Sequence, residues 1–267
     1  MALRASIGQY YSADSPVHRL DPRVKVIAAL AFMVSCFFVG SAPALALAAC
    51  VLALVAVRSS VPVRTVLSQL KPLALFLVIT SMVNLVFVQT GAVAFQVGPL
   101  AIHAGGISAA LLYTARFFLL LVAGSLLTLT TTPVALTDAA ESLLAPLERL
   151  GVPVRQGTLV LSIALRFVPT LSQEAENVIA AQTARGADLE GKSALAYARA
   201  CVPLVVPLFA SALRHAENLG RAMDARCYTG AARTHYHVMR LNARRDSVAI
   251  LGLAAYLAAL IAINIAA

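Results

Sequence analysis

The chain has 267 residues, of which 60% are hydrophobic and 12% charged, with a mean hydropathy of +0.83. A soluble globular domain carries about 45–50% apolar and about 25% charged residues, so this composition excludes an ordinary soluble enzyme, a disordered tail and a disulfide scaffold and predicts a polytopic membrane protein. Lys and Arg number 21 against 12 acids, a net charge of +9. Eight of the bases lie among the apolar runs of 1–131, and thirteen lie in 149–245, mixed with nine acids in 138–224. That pattern reads as the positive-inside bias of a membrane protein around one wet segment of mixed charge, with no nucleic-acid face.

Residues 1–23 are polar and lack the apolar core of a cleavable signal, so the amino terminus is expected to stay in the cytoplasm. No charge occurs from Val26 to Val57, and Gly40-Ser41-Ala42-Pro43 interrupts that run. Gly and Pro together mark a turn, which predicts two short helices at about 24–39 and 44–57. One long kinked helix is the rival reading. Arg58, Arg64 and Lys71, with Pro62 and Pro72 as breakers, predict a short basic loop over 58–71, then an apolar helix from Leu73 to about Val88. Thr90-Gly91, Gly98-Pro99 and Gly105-Gly106 mark an irregular stretch without Lys or Arg. A fourth helix is expected from about Ile107 to Thr131, with Arg116 about a third of the way along, and a last span over Ser247–Ala267. The positive-inside rule then gives an all-α fold of five spans, with the basic parts in the cytoplasm and the carboxyl terminus outside. The domain division is 1–131 for the amino-terminal segment and four spans, 132–246 for a cytoplasmic helical region, and 247–267 for the fifth span.

Within 132–246 a short helix is expected to begin near Thr132-Pro133, with Asp138 and Glu141 towards its amino end, and to stop at Gly151 and Pro153. Two long helical patterns follow, at about Arg155–Arg185 and Ser193–Arg226. The first carries Arg166, Glu174 and Glu176; the second has an uncharged stretch of only 14 residues, Ala200–Leu213, containing Pro203 and Pro207. Both features favour amphipathic helices along the membrane over spans. A sixth, kinked span over 200–213 is the rival reading.

The second long helix repeats the first. Residues 175–186 read AENVIAAQTARG and residues 216–227 read AENLGRAMDARC, at an offset of 41. The identical pairs include Glu176/Glu217, Asn177/Asn218, Ala184/Ala225 and Arg185/Arg226. Each copy ends in Ala-Arg followed by a break. Gly186 is a natural left-handed cap, and an Arg in the last turn complements the helix dipole, a role that is stabilising and nothing more. The duplication adds a functional reading. Two like helix ends, each showing a planar cation beside small alanines, suit two like grooves on a dimeric partner, where an Arg fork bonds carboxylates or carbonyls. Cys227 stands where the first copy has Gly186, and a side chain resists a left-handed cap, so the second helix end is expected to differ locally. Glu176 and Glu217 are candidates for a structural or coupling role.

Arg116 is an ionisable residue inside a span, hence a functional candidate, but pairing with backbone carbonyls to lock the bundle is the reading favoured here. His103 reads as a surface loop residue, and His235 and His237 with Arg233 and Arg240 as interfacial residues near anionic headgroups. Cys36, Cys50, Cys201 and Cys227 show no C-x-x-C spacing, and no residues are assigned to a metal. No phosphate-binding loop, catalytic triad or H-E-x-x-H motif occurs, and Gly186–Lys192 fits no nucleotide loop. A self-sufficient permease or channel should show intramembrane acids or inverted repeats of broken spans. A membrane enzyme should show clustered His, Asp and Glu at a membrane face. Neither pattern is present in the sequence.

With these residues on view, the chain resembles the transmembrane T component of energy-coupling factor transporters, importers of the ATP-binding-cassette class. The likeness runs over nearly the whole chain: SPVHRLDPRVK at Ser15–Lys25, LLTLTTTP at Leu126–Pro133, the stretch whose core is Ala164–Asp188, and AMDARCYTG at Ala222–Gly230. The family signature is a pair of Ala-Arg-Gly motifs at the ends of coupling helices. Ala184-Arg185-Gly186 matches in full, and Ala225-Arg226-Cys227 departs at its last residue. The resemblance implies a non-enzymatic scaffold in the plasma membrane of a prokaryote. It would bind no cofactor itself, and its partner subunits would use ATP and Mg. Those partners would be two ABC-type ATPases, alike or different, docked at Arg185 and Arg226, and a small S component that binds a vitamin or transition-metal ion. Around Leu159–Phe167 and Val202–Phe209 the apolar faces would be candidate contacts for the S component.

Overall fold

The computed structural model describes residues 10–88, 90, 92–97, 100–186, 194–230 and 243–266. These divide into two compact units, one built from 8–143 with 239–267 and the other mainly from 144–238.

The first unit begins with a polar turn folded on itself. Ser15 Oγ and His18 Nδ1 lie 2.7 Å apart, and His18 Nε2 lies 3.0 Å from the Tyr11 carbonyl. Helix α1 spans Pro22–Phe37; the Asp21 side chain accepts from the Arg23 amide at 2.9 Å, with Pro22 pre-set for the first turn. Helix α2 follows at Ala42–Arg58. The run therefore forms two helices and not one kinked helix, and each of them packs on the fourth helix and on the carboxyl-terminal helix. With 16 and 17 residues the two helices rise about 24 and about 26 Å at ~1.5 Å per residue, short of the ~30 Å hydrocarbon core.

Helix α3 runs Val63–Phe87, 25 residues with Pro72 inside. This corrects the expected loop over 58–71. Pro62 sits at the extended cap before the first turn, where its missing N–H costs nothing. Pro72 is carried within the helix, as interior prolines are in membrane helices generally. Thr90 and the strands β1 (Val93–Val97) and β2 (Leu100–His103) come next; they pair antiparallel, Phe95 opposite Ile102 and Val97 opposite Leu100. Gly91 and Gly98-Pro99 lie outside the described residues. Helix α4 spans Ala104–Thr130, so Gly105-Gly106 belong to its first turn and not to the irregular stretch. Helix α5 occupies Pro133–Leu144, and α8 occupies Ala243–Ala266.

Three helical segments, Val63–Phe87, Ala104–Thr130 and Arg245–Ile265, are long and apolar enough to cross a membrane. The core of this unit lies between α1, α2, α4 and α8, with Phe32 and Cys36, Ala44 and Ala48, Leu126 and Leu129, and Tyr256 and Leu260 as their respective buried members. Ala44 and Ala48 are fully buried, and such small residues let membrane helices approach closely. Polar links join the helices as well. Ser35 Oγ and Tyr256 Oη lie 2.9 Å apart, Ser125 Oγ donates to Gln69 Oε1 at 2.6 Å, and the buried Lys25 ammonium donates to the carbonyls of His18 and Thr130 at 2.9 and 3.0 Å.

The second unit starts with a 3₁₀ turn, Ala145–Leu150, closed by Gly151 at φ 84°. Helix α6 spans Val154–Ala184 and α7 spans Ala194–Ala225, within a residue or so of the bounds expected from sequence. Glu148 accepts from the Arg155 amide at 3.3 Å and so caps the start of α6.

Candidate partner-docking helix ends

The last turns of α6 and α7 are built alike. At the end of α6, the Arg185 amide donates to the Ala181 and Gln182 carbonyls at 3.3 and 3.1 Å. Gly186 then turns left-handed at φ +84°, and its amide reaches the Thr183 carbonyl at 3.0 Å. At the end of α7, Cys227 takes φ +54°, its amide donates to the Asp224 carbonyl at 2.9 Å, and the Tyr228 amide donates to the Met223 carbonyl at 3.0 Å. Those last two bonds form a Schellman motif, which satisfies carbonyls that the helix leaves open.

The expected local difference at Cys227 is therefore corrected. The backbone there turns left-handed as at Gly186, because the two capping hydrogen bonds outweigh a steric cost of roughly 1–2 kcal/mol for a residue with a β-carbon. Cys227 is exposed, so its thiol crowds nothing. Ala184, Arg185, Gly186, Ala225, Arg226 and Cys227 are all exposed, and neither arginine forms an ion pair with a described residue. Each guanidinium stands at a helix end with its fork of donors turned to solvent, fit for a carboxylate or a row of carbonyls on another protein.

Sequence reading missed the pair that joins these helices. His215 Nε2 lies 2.7 Å from Glu174 Oε1, and the His215 ring lies 5.9 Å from that of Phe167. The bonds from His215 and then Ser211 hold the Glu174 carboxyl below the usual carboxylate range. Glu174 and His215 are 41 residues apart, the offset of the repeat itself. Equivalent positions of the two copies thus meet, an acid on one and an imidazole on the other. Arg185 follows Glu174 by eleven residues, as Arg226 follows His215, so each arginine lies about 16 Å of helix beyond the contact. The sequence shows an acid and a histidine at matching repeat positions, and only the packing of α6 on α7 brings them into contact.

Glu176 and Glu217 are exposed. Glu217 lies 3.9 Å from Arg221 one helical turn on, a solvated pair of the kind that contributes little. The first copy has Ala180 at the position matching Arg221, so that ion pair is not part of the repeat.

In the other unit, Arg116 sits near the middle of α4, further along than a third. It donates to the Val39 carbonyl just past the end of α1 and lies 5.1 Å from the Tyr113 ring centroid. Asn264 of α8 donates to the Phe38 carbonyl beside it at 2.9 Å. The carbonyl end of α1 therefore meets a cation and an amide, which complements the negative pole of its dipole. His103 is half-buried and precedes the first turn of α4. Arg233, His235, His237, Arg240 and the stretch after Gly186 to Lys192 lie outside the described residues, as does the side chain of Cys201. Among the described residues no three His, Cys, Asp or Glu side chains gather as a metal set.

Comparison with known proteins covers nearly the whole chain. The family described as CbiQ, cobalt transport protein, matches residues 13–236. The energy-coupling factor transporter transmembrane protein EcfT of Heliobacterium modesticaldum is 42% identical over 246 residues, covering 92% of each chain. That of Bacillus subtilis is 38% identical over 245 residues, covering 91% of this chain and 92% of its own. A putative ABC transporter ATP-binding protein of Bifidobacterium longum is 43% identical over 253 residues, covering 94% of this chain but 32% of that longer protein. On this coverage and identity, the predominantly helical chain belongs to the CbiQ cobalt transport family, the family of the energy-coupling factor transporter transmembrane proteins.

Proposed function

We propose that this chain is the coupling scaffold of an energy-coupling factor transporter, in which Arg185 and Arg226 each anchor one ABC-type ATPase subunit. The observation that carries the reading is the pair of like helix ends. Two exposed Ala-Arg steps, each closed by a left-handed residue, lie the same distance beyond a contact between equivalent residues of the repeat. Such a pair suits a dimeric partner that offers the same groove twice, with the two ATPases alike or different. The Bifidobacterium longum relative supports it, since a segment like this chain occurs there within a protein named for ATP binding. ATP and Mg are then used by the partner subunits, and this chain is no enzyme.

The S component, carrying a vitamin or a transition-metal ion, would seat on exposed apolar stripes of this unit. Val202, Val205, Val206, Phe209 and Leu213 of α7 recur at helical spacing and are all exposed; bare apolar stripes of this kind mark protein or membrane contacts. In this reading α1, α2, α3, α4 and α8 are five spans, α6 and α7 face the cytoplasm of a prokaryotic cell, and the membrane is the plasma membrane. The basic segments on one side support that orientation. Arg116 acts as a structural pin for the end of α1, and Glu176 and Glu217 border the moving helix ends.

Charge reversal tests the docking. Arg185→Glu and Arg226→Glu should each weaken co-purification of the ATPases about thirtyfold or more, the range for losing a buried charge-assisted contact. The double variant should abolish it, while size-exclusion chromatography shows the chain itself intact. A normal yield of complex from the double variant would sink the docking reading.

A further inference from the structure

The first unit holds a half-open cavity of ≈ 950 Å³ between α1, α2, α4, α8 and the polar turn before α1, at the upper end of the range of about 300–1,000 Å³ for small-molecule sites. Its walls are apolar, with Phe32, Leu52, Leu126, Gly252 and Tyr256 among them. Its mouth is cationic. Arg19 precedes α1, Arg58 is the last residue of α2, and Arg245 lies in the first turn of α8, so all three stand at one end of the bundle. Lys25 also lines the cavity. Among the described residues the lining thus carries four cations and one carboxylate, that of Asp14.

These cations are not equivalent. Arg19 is held by Asp14 through a two-pronged hydrogen bond, and Lys25 is directed to two backbone carbonyls. Arg58 and Arg245 are exposed and form no close ion pair with a described residue, though Arg245 stands within electrostatic reach of Asp14, which Arg19 already holds. A site with an apolar interior and two exposed guanidinium groups at its mouth matches an amphiphile with an anionic head. A bare phosphate would leave the walls unfilled, and a neutral hydrocarbon would leave the arginines unused. Basic pockets between membrane helices on the positively charged side bind anionic lipid headgroups, and an Arg fork is the usual partner of a phosphate.

We propose that this cavity is a specific site for one anionic phospholipid. Its phosphate is held by Arg58 and Arg245, and its acyl chains lie against Phe32, Leu126 and Tyr256. The bound lipid ties the start of α8 to the end of α2, and the site stands or falls independently of the ATPase docking.

The test uses the full chain, with whatever subunits co-purify, reconstituted in phosphatidylcholine vesicles containing a minor fraction of phosphatidylglycerol. It is then released into the gas phase for native mass spectrometry. One phosphatidylglycerol should remain bound per chain in preference to phosphatidylcholine. The exposed double variant Arg58→Gln/Arg245→Gln should lose that retention roughly thirtyfold, at the usual contribution of about one surface-lipid interaction per cation. Gly252→Trp, which fills the wall and leaves the rim untouched, should lose it too. Equal retention of both lipids by the native chain would overturn the proposal, as would phosphatidylglycerol retained by the double variant. Retention by Gly252→Trp would overturn it as well, since the rim would then hold phosphate alone.

Discussion

A β-carbon at a positive φ crowds the carbonyl that follows it, and Cys227 bears that cost where Gly186 does not. Replacing Cys227 with Gly should therefore raise the stability of the α7 end by about 1 kcal/mol and leave ATPase capture intact or improved; Gly186→Ala should lower stability by a similar amount. Thermal unfolding of the purified chain checks both, and a melting temperature lowered by Cys227→Gly would contradict the left-handed cap. Glu174 gives a pH dependence. Its carboxyl is held below the usual range in the fold by His215 and Ser211. The stability it contributes is fully present above the unfolded carboxylate value of about 4.3 and is lost as the pH falls through the lowered folded value. Amide exchange in α6 and α7, corrected for intrinsic rates, should accelerate below about pH 4 in the native chain. In Glu174→Gln that acid-dependent acceleration should be absent. An acid response identical in the two proteins would place the titrating group elsewhere.

At the scale of elements, α3 and α4 come together through glycine. A β-carbon on Gly106 would stand 2.8 Å from the Val88 carbonyl oxygen and 2.9 Å from that of Leu85, and one on Gly105 would stand 2.4 Å from the Thr90 carbonyl oxygen. These are backbone atoms and cannot swing aside. Gly106→Leu should cost about 1–3 kcal/mol, the usual range for overpacking a filled site, read as a lower unfolding temperature in detergent. An unchanged temperature would mean that α4 does not meet α3 there.

The same elements show what the sequence made legible. Uncharged runs and their Gly-Pro break marked α1 and α2 closely, and the charge-bearing amphipathic patterns marked α6 and α7. The start of α3 was hidden because Pro62 and Pro72 look alike as punctuation, whereas one precedes a first turn and the other lies within a supported helix. Gly105-Gly106 were likewise read as loop signals, when their role is close approach between two helices. The repeat, with its arginines, could be read from spacing alone. That Glu174 and His215 touch could not, since spacing states equivalence and only the packing of α6 on α7 brings equivalents together.

For the whole molecule, the proposed role is that of a scaffold whose two matching arginine-bearing helix ends hold two ATPases beside a separate substrate-binding membrane protein. Family membership places it among transporter transmembrane components, and the duplicated helix ends are what such a component would need in order to hold a two-fold partner. The most direct test is affinity purification of the tagged chain from its native membrane, followed by mass spectrometry of the intact assembly. The expected assembly is one copy of this chain with two ATP-binding-cassette ATPase subunits and one small membrane protein. Several alternative small proteins across the preparation would mean a shared module, and a single one would name the substrate. Recovery of the chain alone, moving substrate by itself when reconstituted in vesicles, would contradict the account and make it a self-sufficient permease.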